Sequence, residues 1–551
     1  MAMPISSAMQ PPRSTRHYRP AEALPTQLLD HATVCFEEQL YSQSFGLLSS
    51  ALTAGQGSAG SSQPIAAHVP PVQHLALAAT LAVHPSLTTR TKDKDKHVAA
   101  DDALAYLRNV HAVVGVRGAE LDKALQFVPR ANVAPRNKRG KTKTRHLDLM
   151  AEDGDDEMAS TRIRSAYAEK ESLWTNAEDF WGVVGWAFNC SVQHKHRWAT
   201  WKVSLAFMLD VLESDLDART ADSTVTDSML AHYIRPIGEG RNNKRRLMRA
   251  ILADGGPKSS PEFGEVWKNE TKLPKTKKED ARAGKKRKLD LDNGEFGDYF
   301  DGSSDLDSPA TSLPRSRSAT ALPTSRASRR PSGDEEDGEA EDSITCNPRT
   351  KSSQSSGVEA FGGIESIQLR QRLLSLLVRF CHNHPTPFLD TEDLFDLYTE
   401  FLRPLPLPVF QQLVLSPKRW LDTHAQSSLD QMLLRPLLAS TAPAYLANAL
   451  TQLDFETHYA PFTANTTSVT DNAKVSLLVE DLLRLLWMSG GLVYGAKLRK
   501  RVEAGIEARR EKAAMDGRRK AGARARDDED AGVVLGCSGD RMLVCLDMIG
   551  G

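Results

Sequence analysis

Apolar positions along this chain recur every three or four residues and almost never alternate. The pattern is strongest over residues 174–219. In its second half Trp198, Trp201, Leu205, Met208 and Leu212 share one helical face, with Lys202, Asp210, Glu213 and Asp217 between them. Its first half, residues 179–188, is apolar nearly all round, as for a helix buried on most sides. Asn176 and Asp179 stand just upstream as candidate caps. Five of the eight tryptophans lie in this stretch. Because each aromatic removes a large area from water, Trp181, Trp186, Trp198 and Trp201 are expected as core anchors rather than as an open aromatic groove.

The same periodicity predicts two short helices within 26–52, then helices at 72–83, 101–114, 119–127, 227–234 and 242–252. Further helices are predicted at 364–380, 393–401, 429–438, 443–453 and 473–487. Pro404, Pro406 and Pro408 predict an extended corner after the second of these. Only Glu480, Asp481 and Arg484 interrupt the apolar surface of 473–487, so this helix should be central to its domain, with Trp487 as a further anchor. The expected fold class is all-α: two irregular helical domains of hairpin or bundle type, separated by a long disordered linker, with a projecting basic C-terminal helix.

Shifts in composition set the boundaries. Residues 1–20 read as a disordered basic tail and 21–252 as an N-terminal helical domain, with a charged excursion loop at 135–165. Residues 253–360 hold five aromatics among Ser, Pro, Gly and charge, too little apolar surface to offset the entropy of ordering, and read as a disordered linker. A C-terminal helical domain follows at 361–495 and a basic helix at 496–530. The apolar tail, 531–551, should pack on a domain, as a helix in preference to a hairpin.

With 551 residues, 70 basic against 71 acidic, the chain as a whole is neither polybasic nor polyacidic. No apolar run is long enough for a membrane span, and the N-terminus lacks the apolar core of a secretory signal. Six scattered cysteines fit neither a disulfide framework nor a zinc-finger spacing, and suit a reducing compartment.

Charge segregates locally. Lys275, Lys277 and Lys278, then Lys285, Lys286, Arg287 and Lys288, form two basic clusters with the layout of a bipartite nuclear-import signal, which an importin would read. A second group, Arg241, Lys244, Arg245, Arg246 and Arg249 with Arg499, Lys500 and Arg501, is a candidate for auxiliary, sequence-independent nucleic-acid contact through phosphate neutralisation. No base-reading module accompanies it. Phe296, Tyr299 and Phe300 sit among acids, the make-up of a peptide that orders on a partner. Ser308 and Ser332 lie in short contexts suited to phosphorylation.

Catalytic motifs fail on inspection. Residues 490–497 resemble a phosphate loop, but Ala496 separates Gly495 from Lys497 and no Ser or Thr follows the lysine. Cys190, His194 and His196, and again Cys381, His382 and His384, are clustered soft ligands with nothing in the sequence to unite them, so no metal or cofactor is expected. The expectation is a non-enzymatic scaffold or adaptor in the nucleus, a subunit of a chromatin, genome-maintenance or RNA-processing complex with protein partners. The alternatives are a transcriptional or DNA-binding regulator using the basic segments, then an enzyme with an unfamiliar helical site.

Overall fold

A computed structural model describes residues 17–55, 65–128, 162–238, 240–273, 357–384, 388–442, 450–515 and 523–550. The fold is all-α. Among the described residues the only sheet is a parallel pair of three-residue strands, β1 (Ala21–Ala23) and β2 (Ala67–Val69).

Helices α1 (Thr26–Glu37), α2 (Tyr41–Thr53), α3 (Val72–Val83) and α4 (Lys94–Val113) open the chain. Helix α4 begins earlier than its apolar pattern predicts. The Asp93 side chain accepts from the Asp95 N–H at 3.1 Å and caps a polar, solvent-facing first turn. The helix expected at 119–127 is reduced to a single turn at Leu121–Ala124, because Glu120 adopts φ 50° and separates it from a preceding turn at Gly115–Gly118.

The tryptophan stretch forms α5 (Phe180–Gln193), capped by Asp179 on the Gly182 N–H at 2.7 Å, and α6 (Lys195–Ala221). Trp181, Trp186, Trp198 and Trp201 are all buried. After α7 (Arg241–Ile251) the chain stays folded through 273, where a disordered linker was expected to begin at 253. Phe263, Trp267 and Glu270 are buried there. Gly185 makes room for Phe263, since a Cβ at that glycine would stand 2.3 Å from the ring.

The second half contains α8 (Ile364–Asn383), α9 (Thr391–Leu402), α10 (Leu407–Val414) and α11 (Thr423–Leu434). The extended proline corner shrinks to a turn. Pro408 falls in the first turn of α10, where a missing N–H breaks no bond. Of the helix expected at 443–453, residues 443–449 lie outside the described set, and Gln452–Asp454 forms a single turn closed by a Thr451–Asp454 capping box.

Helix α12 (Val469–Met488) is buried on most sides and packs against α10, α11, α13 (Ala496–Ala514) and α14 (Ala523–Gly550). The basic helix α13 does not project. Its narrow stripe of Leu498, Val502 and Ile506, widened by Gly505, Arg509 and Ala513, is buried against its neighbours. The apolar tail is helical, and its helix starts before residue 531. Trp487 is not a core anchor. It continues the stripe of Glu480 and Arg484 one turn further and is 41% exposed.

The described residues on either side of 275–347 form one compact unit. Helices α6 and α8 lie side by side, with Arg372 donating to Asp210 at 2.7 Å and to Glu213 at 2.9 Å, and Arg379 paired with Asp217.

Candidate interaction surface

Three buried polar clusters are the first places to look for chemistry. At the centre of the tryptophan helices Arg197 and Glu270 form a fully buried pair at 2.5 Å. Glu270 Oε1 also accepts from the indole N–H groups of Trp186 at 3.0 Å and Trp201 at 2.7 Å. Its Oε2 accepts from the backbone N–H groups of Val266 and Trp267. Arg197 spends its remaining N–H groups on Thr88 and on the Val83 carbonyl, beneath the Trp201 ring. Every strong group here already has a partner, as in a structural charge pair.

A serine, a histidine and a carboxylate line up nearby. Ser86 Oγ is 2.7 Å from His84 Nδ1 and 2.8 Å from the Tyr167 hydroxyl, and Glu171 is 3.5 Å from His84 Nε2. Burial, then the charges of Arg197 and Arg90, push the His84 pKa down to about 3. A base that weak takes little part of a proton from a serine at neutral pH.

In the second half the carboxyls of Asp430 (α11) and Asp481 (α12) meet in the interior. Burial and then the neighbouring carboxylate hold Asp430 well above the usual range, and burial raises Asp481 against the opposing pull of Arg419, 3.6 Å away. Gln426 donates to Asp430 at 3.0 Å. Two such carboxyls can hydrogen-bond only by sharing a proton. Lys474 donates to the Arg403 and Leu405 carbonyls at 2.6 and 2.8 Å, and burial lowers its pKa to about 8.

Among the described residues, neither of the two cavities beside these clusters has space for a substrate. The two best-formed cavities among the described residues measure about 10 and 20 Å³. Each is room for about one water. Their walls are almost wholly apolar, including Phe410 and Leu429 in one and Trp174 and Phe207 in the other.

The sequence-derived candidates separate. Four of the eight basic residues proposed for nucleic acid are engaged within the protein. Arg246 is bidentate to Asp179 at 2.6 and 3.3 Å, Arg249 holds both oxygens of Glu262, Arg245 pairs with Glu400, and Arg499 bridges Glu503 and Asp547. Arg241, Lys500 and Arg501 are exposed and Lys244 is half-buried. Arg509, also basic, is buried and donates to the Ala460 and Phe462 carbonyls. Among the described residues no group of three His, Cys, Asp or Glu side chains is placed to hold a metal. The import clusters Lys275–Lys278 and Lys285–Lys288, the aromatic peptide Phe296, Tyr299 and Phe300, and Ser308 and Ser332 lie outside the described residues. No described helix is long and apolar enough to cross a membrane.

What periodicity missed is a corner of exposed apolar side chains. Helices α12 and α14 run parallel: Ser476 bonds Ser538 at 2.9 Å, the two Glu480 oxygens accept from Nε and Nη2 of Arg541 at 2.7 Å, and Arg484 lies near Cys545. Helix α13 returns antiparallel, with Arg499 on Asp547 and Arg510 on Asp540. The C-terminal ends of α12 and α14 therefore meet the start of α13. The tip of α14 presses so close to the intervening loop that a Cβ at Gly550 would stand 2.9 Å from the Tyr494 ring. Seven of the sixteen large hydrophobic side chains exposed among the described residues collect here: Leu453, Trp487, Met488, Val493, Tyr494, Val544 and Met548. Elsewhere such residues are scattered, which is ordinary; a contiguous group is the mark of an interaction site. The sequence signal was Trp487-Met488 at the end of an otherwise buried helix, followed by Gly490-Gly491. Comparison with protein-family models, with curated proteins and with solved structures finds no match for this chain.

Proposed function

We propose that this protein is a non-enzymatic scaffold or adaptor subunit of a nuclear complex, of the chromatin, genome-maintenance or RNA-processing kind. The observation that carries the reading is the contrast between a closed interior and an apolar corner. The cavities hold about one water each, while Trp487 and Met488 stand 41% and 66% exposed at the end of the most buried helix of the second half. Burying such side chains against another protein is the direct way to remove their contact with water. The nuclear assignment is supported by the two lysine-rich clusters at 275–278 and 285–288, and its carrier would be an importin.

The test is affinity capture of the full chain from nuclear extract, beside a Trp487→Ser, Met488→Ser variant. A scaffold yields a partner in fixed stoichiometry that the variant loses while its helical content and melting temperature stay unchanged. Recovery of the chain alone from nuclear and cytoplasmic extracts, or turnover of a small molecule by the purified protein, would overturn the reading.

A further inference from the structure

We propose that the corner at the ends of α12 and α14 receives an acidic amphipathic helix of a partner protein. The apolar anchors of that helix would rest on Trp487, Met488, Val544 and Met548, and its carboxylates would meet Arg419, Arg484 and Arg541. The inference rests on the scaffold reading and names the chemistry of the partner.

The geometry points to a helix because the surface is itself built on two parallel helices. Val544 and Met548, 55% and 59% exposed, are one turn apart on the outer face of α14, and the α12 register brings Trp487 and Met488 to the same end. An incoming helix with apolar residues at i, i+3 or i+4, and i+7 matches a surface of that length.

The charge of the partner follows from the layering of the rim. Its acids, Glu480 and Asp481, are buried, and its cations stand above them, partly exposed. Arg419 reaches Met488 Sδ at 3.4 Å, Arg484 is one turn before Trp487 and Met488, and Lys418 beside Arg419 is exposed. Burial holds the Asp430 and Asp481 carboxyls above the usual carboxylate range, which favours less negative charge beneath Arg419. The exposed acids Asp540 and Asp547, each one turn from Val544 on α14, are engaged by Arg510 and Arg499. The side that carries Trp487 and Met488 thus shows three partly exposed guanidinium groups, each also paired inward with buried Glu480 or Asp481. An acidic ligand would be steered to it, and a basic one repelled.

The test uses the full chain and two labelled synthetic helical peptides. Both carry Leu and Phe at i, i+3, i+4 and i+7, one with Glu and the other with Lys at the remaining positions. Fluorescence anisotropy should show the Glu peptide binding at least about tenfold more tightly than the Lys peptide, with affinity falling as salt rises. Trp487→Ser and Arg484→Glu should each weaken the Glu peptide about tenfold at an unchanged melting temperature. Equal binding of the two peptides, no binding of the Glu peptide, or indifference to both substitutions overturns the proposal. So does tighter binding of a DNA or RNA oligonucleotide through Arg484. A doubling of mass in sedimentation that Trp487→Ser reverses would assign the corner to a second copy and overturn it as well. If the peptides fail while a stoichiometric nuclear partner is still captured, the inference falls and the scaffold reading stands.

Discussion

Arg370 on α8 donates from both terminal nitrogens of its guanidinium to the Ala253 carbonyl, at 3.0 Å each. One of them also reaches the Ile251 carbonyl at 2.8 Å, and the plane lies between the rings of Phe188 at 4.1 Å and Phe361 at 4.2 Å. The group is fully buried, and burial lowers its pKa to about 9. Its partners come from before and after residues 275–347, so this cation stitches the two halves of the chain together. Arg370→Ala leaves two carbonyls without donors and a hole between two rings, and should cost about 3–5 kcal/mol. Arg370→Lys should cost about 2 kcal/mol, since a point ammonium cannot both stack and serve two carbonyls. Calorimetry should show one cooperative transition for the native chain. Two separate transitions would contradict the stitching.

Glu270 gathers five donors. Glu270→Gln keeps the shape but leaves the Arg197 cation buried without its counter-charge, and two indole N–H groups facing an amide. A loss of about 3 kcal/mol is expected. Trp186 and Trp201 both donate to the replaced group, so tryptophan emission should change in the folded state. Denaturant midpoints within about 0.5 kcal/mol of wild type would mean that the pair is not the centre of this core.

The fold class was legible because helix periodicity survives wherever Leu, Trp or Phe marks one face, as in α5, α6, α8 and α12. It failed where small or charged residues do the packing. Helix α4 buries Ala99, Ala100 and Ala103, which carry little hydropathy, so periodicity alone places its start too late. The basic helix α13 buries Arg509 beside Gly505, residues that look like solvent exposure in a one-dimensional pattern. The folded segment 253–273 carries two aromatics in a polar context. What holds it is the pairing of Glu270 with Arg197, 73 positions away, and no local signal encodes that. The interaction corner was hidden for the opposite reason. Trp487 looked like core, and only the three-dimensional register of α12 against α14 turns it outward.

Two glycines in neighbouring helices should respond oppositely to the same substitution. A Cβ at Gly505 would stand 1.9 Å from the Ala460 carbonyl oxygen, a backbone atom that cannot turn aside. Gly505→Ala should push α13 off its bed and cost about 2–4 kcal/mol. At Gly536, within α14, a Cβ meets nothing within 4 Å. There Gly536→Ala should stabilise by up to about 1 kcal/mol through helix propensity alone. Thermal melts of the two variants settle both signs, and equal shifts would mean that α13 is not packed as described.

Acid should act on this protein in two opposed ways. Burial lowers the His74 pKa to about 4, well below its unfolded value. Stability that depends on neutral His74 is therefore present above about pH 6.5 and is lost as pH falls toward 4, on the order of 3 kcal/mol. Asp430 and Asp481 work the other way. Both are raised, chiefly by burial, so their contribution is present below the unfolded carboxylate value and is lost as pH rises through the folded one. At pH 7.5 the pair is then a burden on the fold. Asp430→Asn removes one ionisable group, keeps the shape and supplies an N–H toward Asp481. It should stabilise by about 1–2 kcal/mol at pH 7.5, with the gain shrinking toward pH 4. His74→Gln should instead flatten the loss between pH 6.5 and 5. Urea midpoints at pH 5, 6 and 7.5 separate the two effects, and an Asp430→Asn gain of the same size at every pH would show that the carboxyls do not share a proton.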